Sequence, residues 1–214
     1  MSTSGNWSPQ PCVPQPLADF AEPARYNGAA GAFHIDAQGT RFVRLARYHL
    51  AIYEADPTQA AVAIWVPGRV ELLGKHVDYA GGTSLTAALP LGIALVATPT
   101  PERDLHVVDV GRQSEVRLGL SGDMGAGWTK YVYTVWQRLI SHTGEPPSGV
   151  RITFESNLPP SAGMSSSSAL VTGIWLSLAA LFDIHRHPAV QRAIGSTADL
   201  ADFLGCLENG RPYK

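Results

Sequence analysis

Cysteine is nearly missing from this chain: two in 214 residues, Cys12 and Cys206, near opposite ends. That spacing supports neither a disulfide framework nor a thiolate metal site, so a reducing compartment, the cytoplasm, is the expected location. Long apolar runs are also lacking. The longest, residues 85–98, is interrupted by Pro90 and is too short to cross a bilayer. Residues 1–15 are polar and proline-rich, without the basic start and apolar run of a secretory signal. Neither sign of charge is in excess: 16 basic against 18 acidic residues give −2, and no basic stripe suits a nucleic acid or an anionic membrane. The expected partners are therefore small molecules, with no nucleic acid and no membrane, and nothing in the pattern fixes an oligomeric state.

What is present is ample material for a core. Hydrophobic residues make up 45% of the chain and charged residues 16%, the balance of a soluble globular protein. Residues 1–31 carry Pro9, Pro11, Pro14, Pro16 and Pro23 among Ser, Gly and Gln. They are expected to form a flexible leader, mobile at least over residues 1–16, with one domain over 32–214. Residues 40–55 place Val43, Ala46, Leu50 and Tyr53 at helical spacing, and Pro57 is expected to end that helix. Residues 61–66 read as a buried strand, punctuated by Pro67-Gly68-Arg69 and resumed over 70–74. A second strand, 84–98, is expected to break near Pro90-Leu91-Gly92, and shorter strands follow at 105–110 and 115–120. A helix over 128–142, an alternating strand over 150–154 and an apolar, central helix over 167–182 come next. Ser196, with Asp199 in the capping-box position, opens a last helix striped by Leu200, Phe203, Leu204 and Leu207. Strands precede and interleave with helices, so the expected class is α+β.

Three familiar chemistries fail on inspection. Residues 68–76 look like a Walker A loop, but five residues separate the glycines and His76 stands where Ser or Thr should be. Gly163-Met164-Ser165 lacks the closing glycine of a nucleophile elbow. His185 and His187 flank an arginine beside Pro188 and read as a solvated loop rather than a metal site.

Two stretches carry more. Residues 158–170, LPPSAGMSSSSAL, turn from a strand into an apolar helix through small residues and four serines. The unpaired N–H groups and positive dipole end of such a helix make a ready anion site, although a serine-capped helix start with no ligand is equally weighted. Residues 67–82, PGRVELLGKHVDYAGG, insert Arg69, Lys75, His76 and Asp78 between buried strands beside a glycine turn. A carboxylate, an imidazole and a guanidinium together suit a polar, sugar-sized ligand; a charged hairpin turn is the plainer alternative.

Taken together, the two stretches resemble a known family. Residues 68–82 look like the galactokinase signature, and residues 158–170 look like the phosphate loop of the GHMP kinases, the galacto-, homoserine, mevalonate and phosphomevalonate kinases. Trp128-Thr129-Lys130-Tyr131 resembles the family's Trp-x-x-Tyr segment between them. The likeness spans roughly residues 61–208. It implies a ribosomal-protein-S5-like N-terminal domain and phosphoryl transfer from ATP, with Mg2+, to the anomeric hydroxyl of galactose or a related sugar. By that resemblance Arg69 is the active-site arginine, while Lys75, His76, Asp78, Tyr79, Gly81 and Gly82 form the sugar site. Pro159, Pro160, Ser161, Ala162, Gly163, Met164, Ser165, Ser166, Ser167 and Ser168 wrap the ATP phosphates, with Ser167 the metal ligand.

The sequence departs from the galactokinase pattern at three places. Lys75 replaces a glutamate that contacts the sugar, which favours a carboxylate or phosphate on the substrate, as in galacturonate. Ala80 replaces the turn's usual Asn, a mild change. The Gly-Ile-Met-Asp-Gln-like stretch with the family's catalytic aspartate is not found; residues 209–214 read NGRPYK, and Asp199, Asp202 and Glu208 fit a helix cap or solvated face better than a base. The expectation is an incomplete two-domain kinase without its C-terminal domain, inactive in transfer as this chain. A non-catalytic sugar- and ATP-binding protein is the rival, and a mevalonate-type kinase a weaker one.

Overall fold

The structure, a computed structural model, describes residues 13–26, 35–74, 81–160 and 162–213. Its centre is a six-stranded sheet in the order β1-β2-β3-β6-β4-β5, built from β1 (Gln15–Pro16), β2 (Ala60–Leu73), β3 (Leu85–Thr100), β4 (Leu105–Asp109), β5 (Ser114–Leu118) and β6 (Gly149–Ser156). Neighbours run antiparallel except β4 and β6, which are parallel. The helices are α1 (Leu17–Ala21), α2 (Ile35–Tyr53), α3 (Thr129–Thr143), α4 (Ser166–Phe182), α5 (Pro188–Ala193) and α6 (Thr197–Glu208). This is the expected mixture of strands and helices, with the mixed sheet of an α+β fold.

Strand alternation sorts the side chains to two faces. Val62, Ile93, Leu95, Ala97, Val150, Ile152 and Phe154 meet α3, α4 and α6 in a core that holds Trp136, Trp175 and Phe203. Gly173 of α4 lies so close to β3 that an added Cβ would stand 2.4 Å from Leu95 Cδ1. The intervening residues Ala61, Ala94 and Val96 meet α1 and α2 through Leu17, Phe20, Phe42 and Leu45. On β6 that second face is polar: Arg151, Thr153 and Glu155 alternate with the apolar residues, yet α2 covers them. His49 of α2, wholly buried, sits within hydrogen-bond distance of Thr98 Oγ1 (2.9 Å) and Thr153 Oγ1 (3.0 Å), and Arg41 and Arg44 both pair with Glu155. Burial, reinforced by the nearby Arg151 charge, pulls the His49 pKa down to about 3.

Several elements differ from the sequence expectation. The two prolines do not break their strands: β2 and β3 run through Pro67 and Pro90, with irregular register between Pro67 and Arg69. A bulge frees the position that a proline cannot use in the ladder. Asn157 then serves the displaced backbone, its Oδ1 accepting from the Gly92 N–H (2.7 Å) and its own N–H donating to the Gly92 carbonyl (3.2 Å). Within the expected leader, β1 pairs with Ala60 and Ala61, and Leu17, Phe20 and Ala21 are buried, because α1 roofs an apolar patch that α2 leaves open. The expectation for residues 1–12 lies outside the described residues. Helix α2 begins at Ile35, before Thr40, and ends at Tyr53 with Glu54 in the left-handed region. The His185 segment is a 3-10 turn, and His187 caps the unexpected α5 by accepting the Ala189 N–H. The Ser196 cap matches expectation, accepting the Asp199 N–H at 3.1 Å. Among the described residues no helix is long and apolar enough to cross a membrane.

Candidate functional site

The carboxyl ends of β6 and β4 and the amino ends of α3 and α4 converge on one cleft. Strand β6 stops at Ser156, the chain passes Leu158, Pro159 and Pro160, and Gly163 turns with φ +68°. Ser165 precedes α4 with φ 56°, a left-handed conformation for a residue bearing a Cβ, and it makes no side-chain cap bond. Such a conformation costs about 1–2 kcal/mol and is typical of sites where backbone placement serves a ligand. The first N–H groups of α4 therefore face outward without a serine cap, as an anion site requires. Ser166 is exposed and Ser167 and Ser168 half-buried. Ser161 lies outside the described residues.

A carboxylate stands against this helix start. Glu208, the last residue of α6, accepts from Ser167 Oγ (2.5 Å) with one oxygen and from Ser168 Oγ (2.6 Å) with the other. This corrects the reading of Glu208 as a solvated face or helix cap. No local sequence signal marks it, because it reaches the serines only through the packing of α6 on α4. Asp199 keeps the capping role and Asp202 is exposed.

The cleft itself encloses about 410 Å³. Ile93, Phe154 and Leu170 floor it, Trp128 and Tyr131 of the α3 start wall it, and Ser166 and Ser167 stand at its α4 end. The Trp128 ring meets Phe154 edge to face at 5.3 Å. Arg112, from the turn between β4 and β5, completes the lining. Its backbone N–H donates to Asp109 Oδ1 (3.1 Å) and its Nη1 to Asp109 Oδ2 (2.8 Å). An aromatic wall, the start of a helix and serine hydroxyls at one end give the cleft the amphipathic lining of a nucleotide-sized ligand.

The second singled-out stretch touches the first. The Arg69 N–H on β2 donates to the Met164 carbonyl at 3.2 Å, and the Arg69 side chain is exposed. Gly68 is required by the same approach, since a Cβ there would lie 2.4 Å from Leu158 Cδ2 and 3.0 Å from the Met164 oxygen. Gly74 (φ +82°) closes against the Thr83 carbonyl, and Gly81 and Gly82 are exposed. Lys75, His76, Asp78 and Tyr79 lie outside the described residues. Among the described residues no group of three or more His, Cys, Asp or Glu could hold a metal.

Comparison with known proteins gives two family matches. Residues 130–206 match the GHMP kinases N terminal domain, and residues 49–99 match the galactokinase galactose-binding signature. The chain is 30% identical over 131 residues to a galactokinase of Lactiplantibacillus plantarum, covering 58% of this chain and 34% of that protein. A Staphylococcus saprophyticus galactokinase is 32% identical over 134 residues, covering 59% and 34%. The chain thus spans about a third of the length of these curated relatives. Among solved structures, Lactococcus lactis galactokinase complexed with galactose matches with TM-score 0.53 at 21% identity, covering 68% of this chain and 38% of that one. Methanococcus jannaschii mevalonate kinase matches with TM-score 0.52 at 20% identity, covering 70% and 47%. At these identities the structural likeness speaks for the fold.

Proposed function

We propose that this chain, which carries a GHMP kinase N-terminal domain beside a galactokinase galactose-binding signature, is the nucleotide- and sugar-binding part of a sugar kinase. Its reaction is phosphoryl transfer from ATP to the anomeric hydroxyl of galactose or a related sugar. The observation that carries this reading is the Arg69 N–H to Met164 carbonyl bond, which joins the signature stretch to the serine loop across nearly a hundred residues of sequence.

In this reading the backbone of residues 159–168 receives the nucleotide phosphates at the start of α4, and Trp128 and Tyr131 cover the rest of the cleft. Arg69, exposed beside Met164, faces the transferred phosphate. His76, Asp78 and Tyr79 are assigned to sugar hydroxyls with the Gly81-Gly82 turn, and Lys75 precedes them in sequence. The pairing of Ser167 and Glu208 fits a magnesium ion, because a hydroxyl and a carboxylate are hard oxygen donors and phosphate oxygens with water complete such a shell. Bound there, Mg2+ would offset the phosphate charge during transfer. A cytoplasmic location agrees with the cysteine count.

Lys75 favours a second form of the same reading, in which the sugar is acidic, such as galacturonate. Calorimetric titration of the 214-residue chain with galactose and with galacturonate, each with MgATP, separates the two. Tighter galacturonate binding that reverts with Lys75→Glu supports the acidic sugar; galactose preferred by both proteins supports the plain one. Binding of neither sugar and no nucleotide sinks the kinase reading.

A further inference from the structure

We propose that Arg112 is a nucleotide-contacting residue at the base end of the cleft and that Asp109 is its positioning residue. The inference rests on the nucleotide reading of the cleft given above. Among the described residues that line the cleft, Arg112 alone carries a charge. Its partner is buried: Asp109 ends β4 with 1% exposure, and both of its oxygens bind Arg112, one through the backbone N–H and one through Nη1. A buried carboxylate spent wholly on one residue holds the turn with one oxygen and anchors the guanidinium at Nη1 with the other. The Arg112 side chain is 52% exposed, and its other guanidinium nitrogens make no hydrogen bond to the described residues.

Topology decides which end of the ligand it meets. Helix α4, with the anion site at its start, packs on β2 and β3, on one side of β6. The Arg112 turn lies on the other side, since Asp109 pairs with Phe154 in the parallel ladder and the Val110 N–H donates to the Phe154 carbonyl at 2.9 Å. Helix α3 covers this same side: its Trp136 indole and Gln137 amide donate to the Gly119 and Leu120 carbonyls just beyond β5, and its leading Trp128 leans on Phe154. Arg112 therefore shares the aromatic end of the cleft, across β6 from Ser167. A planar, donor-only guanidinium beside an aromatic wall matches the face and ring-nitrogen acceptors of a purine. Phosphates seated on α4 lie at the opposite end.

The test is calorimetric titration of the wild-type chain and of Arg112→Ala with MgATP, adenosine and magnesium tripolyphosphate. The expected result is a roughly tenfold weakening of adenosine and MgATP alike, with unchanged tripolyphosphate binding showing that the α4 end of the cleft stays folded. Arg112→Lys is expected not to restore adenosine binding, because it returns the charge without the plane. Weakening of tripolyphosphate and MgATP with adenosine unaffected overturns the inference in favour of a phosphate contact. Equal affinities in variant and wild type, or full rescue by lysine, overturn it and leave the nucleotide reading standing. A wild-type chain that binds none of the three overturns both.

Discussion

Glu208 faces two hydroxyls at the start of α4, where the proposed nucleotide would also place its phosphates. A carboxylate there repels a bare nucleotide and welcomes one that brings a divalent cation. Glu208→Gln is therefore expected to narrow the preference for MgATP over metal-free ATP by roughly tenfold, measured by titration with and without chelator. His49 makes the second residue-scale expectation. Its folded pKa, about 3, lies below its unfolded value of about 6.5, so the unfolded chain binds more protons between them. Its contribution is whole above pH 6.5 and is lost as pH falls toward 3, by about 1.4 kcal/mol per unit. His142 is shifted in the same direction, chiefly by burial, so the comparison with His49→Gln isolates the effect: the variant is expected to show a flatter fall in urea midpoint between pH 6.5 and 4.5. The turn through serines and glycines into α4 was legible because its chemistry is local. Glu208 and Arg112 were not, since each acquires its role from a partner brought by packing or topology.

At the scale of elements, the helix spacings and the Ser196 cap could be read directly from periodicity and hydroxyl placement. The strands were harder. Pro67 and Pro90 read as breaks, yet bulges and the Asn157 side chain absorb both, and a distant residue of that kind leaves no mark on the local pattern. The buried α1 was missed because a five-residue apolar segment among prolines has no period of its own. The contact of β2 with the serine loop yields a sharp expectation. Gly68→Val must push against Leu158 and the Met164 carbonyl, so a loss of about 1–3 kcal/mol in stability is expected, with weaker MgATP binding. Unchanged nucleotide affinity at a lowered melting temperature would show that the loop does not depend on that approach.

For the whole molecule, the two recognisable stretches and the sheet that joins them account for the family resemblance. The assignment of residues 75, 76, 78 and 79 to a sugar site rests on the sequence alone. Among the described residues, Glu208, the acid hydrogen-bonded to Ser167, is already engaged with two hydroxyls and does not stand as a free base. Binding without appreciable turnover is the expected behaviour of this chain, checked by a coupled ADP-release assay with galactose and galacturonate; sustained magnesium-dependent release would contradict it.

Strand β2 begins beside β1 at Ala60, ends at Leu73, and passes the serine loop at Arg69 on the way, a path of roughly 43 Å at strand rise. Its even-numbered residues Val62 and Val66 serve the α4 side and its odd-numbered residues Ala61 and Trp65 the α2 side. A change of side-chain size on β2 therefore acts at one position, whereas a change of its length acts on every residue that follows. Deleting one residue from 60–66 would exchange the two faces and shift Arg69 away from Met164, disconnecting the halves of the cleft in a single step.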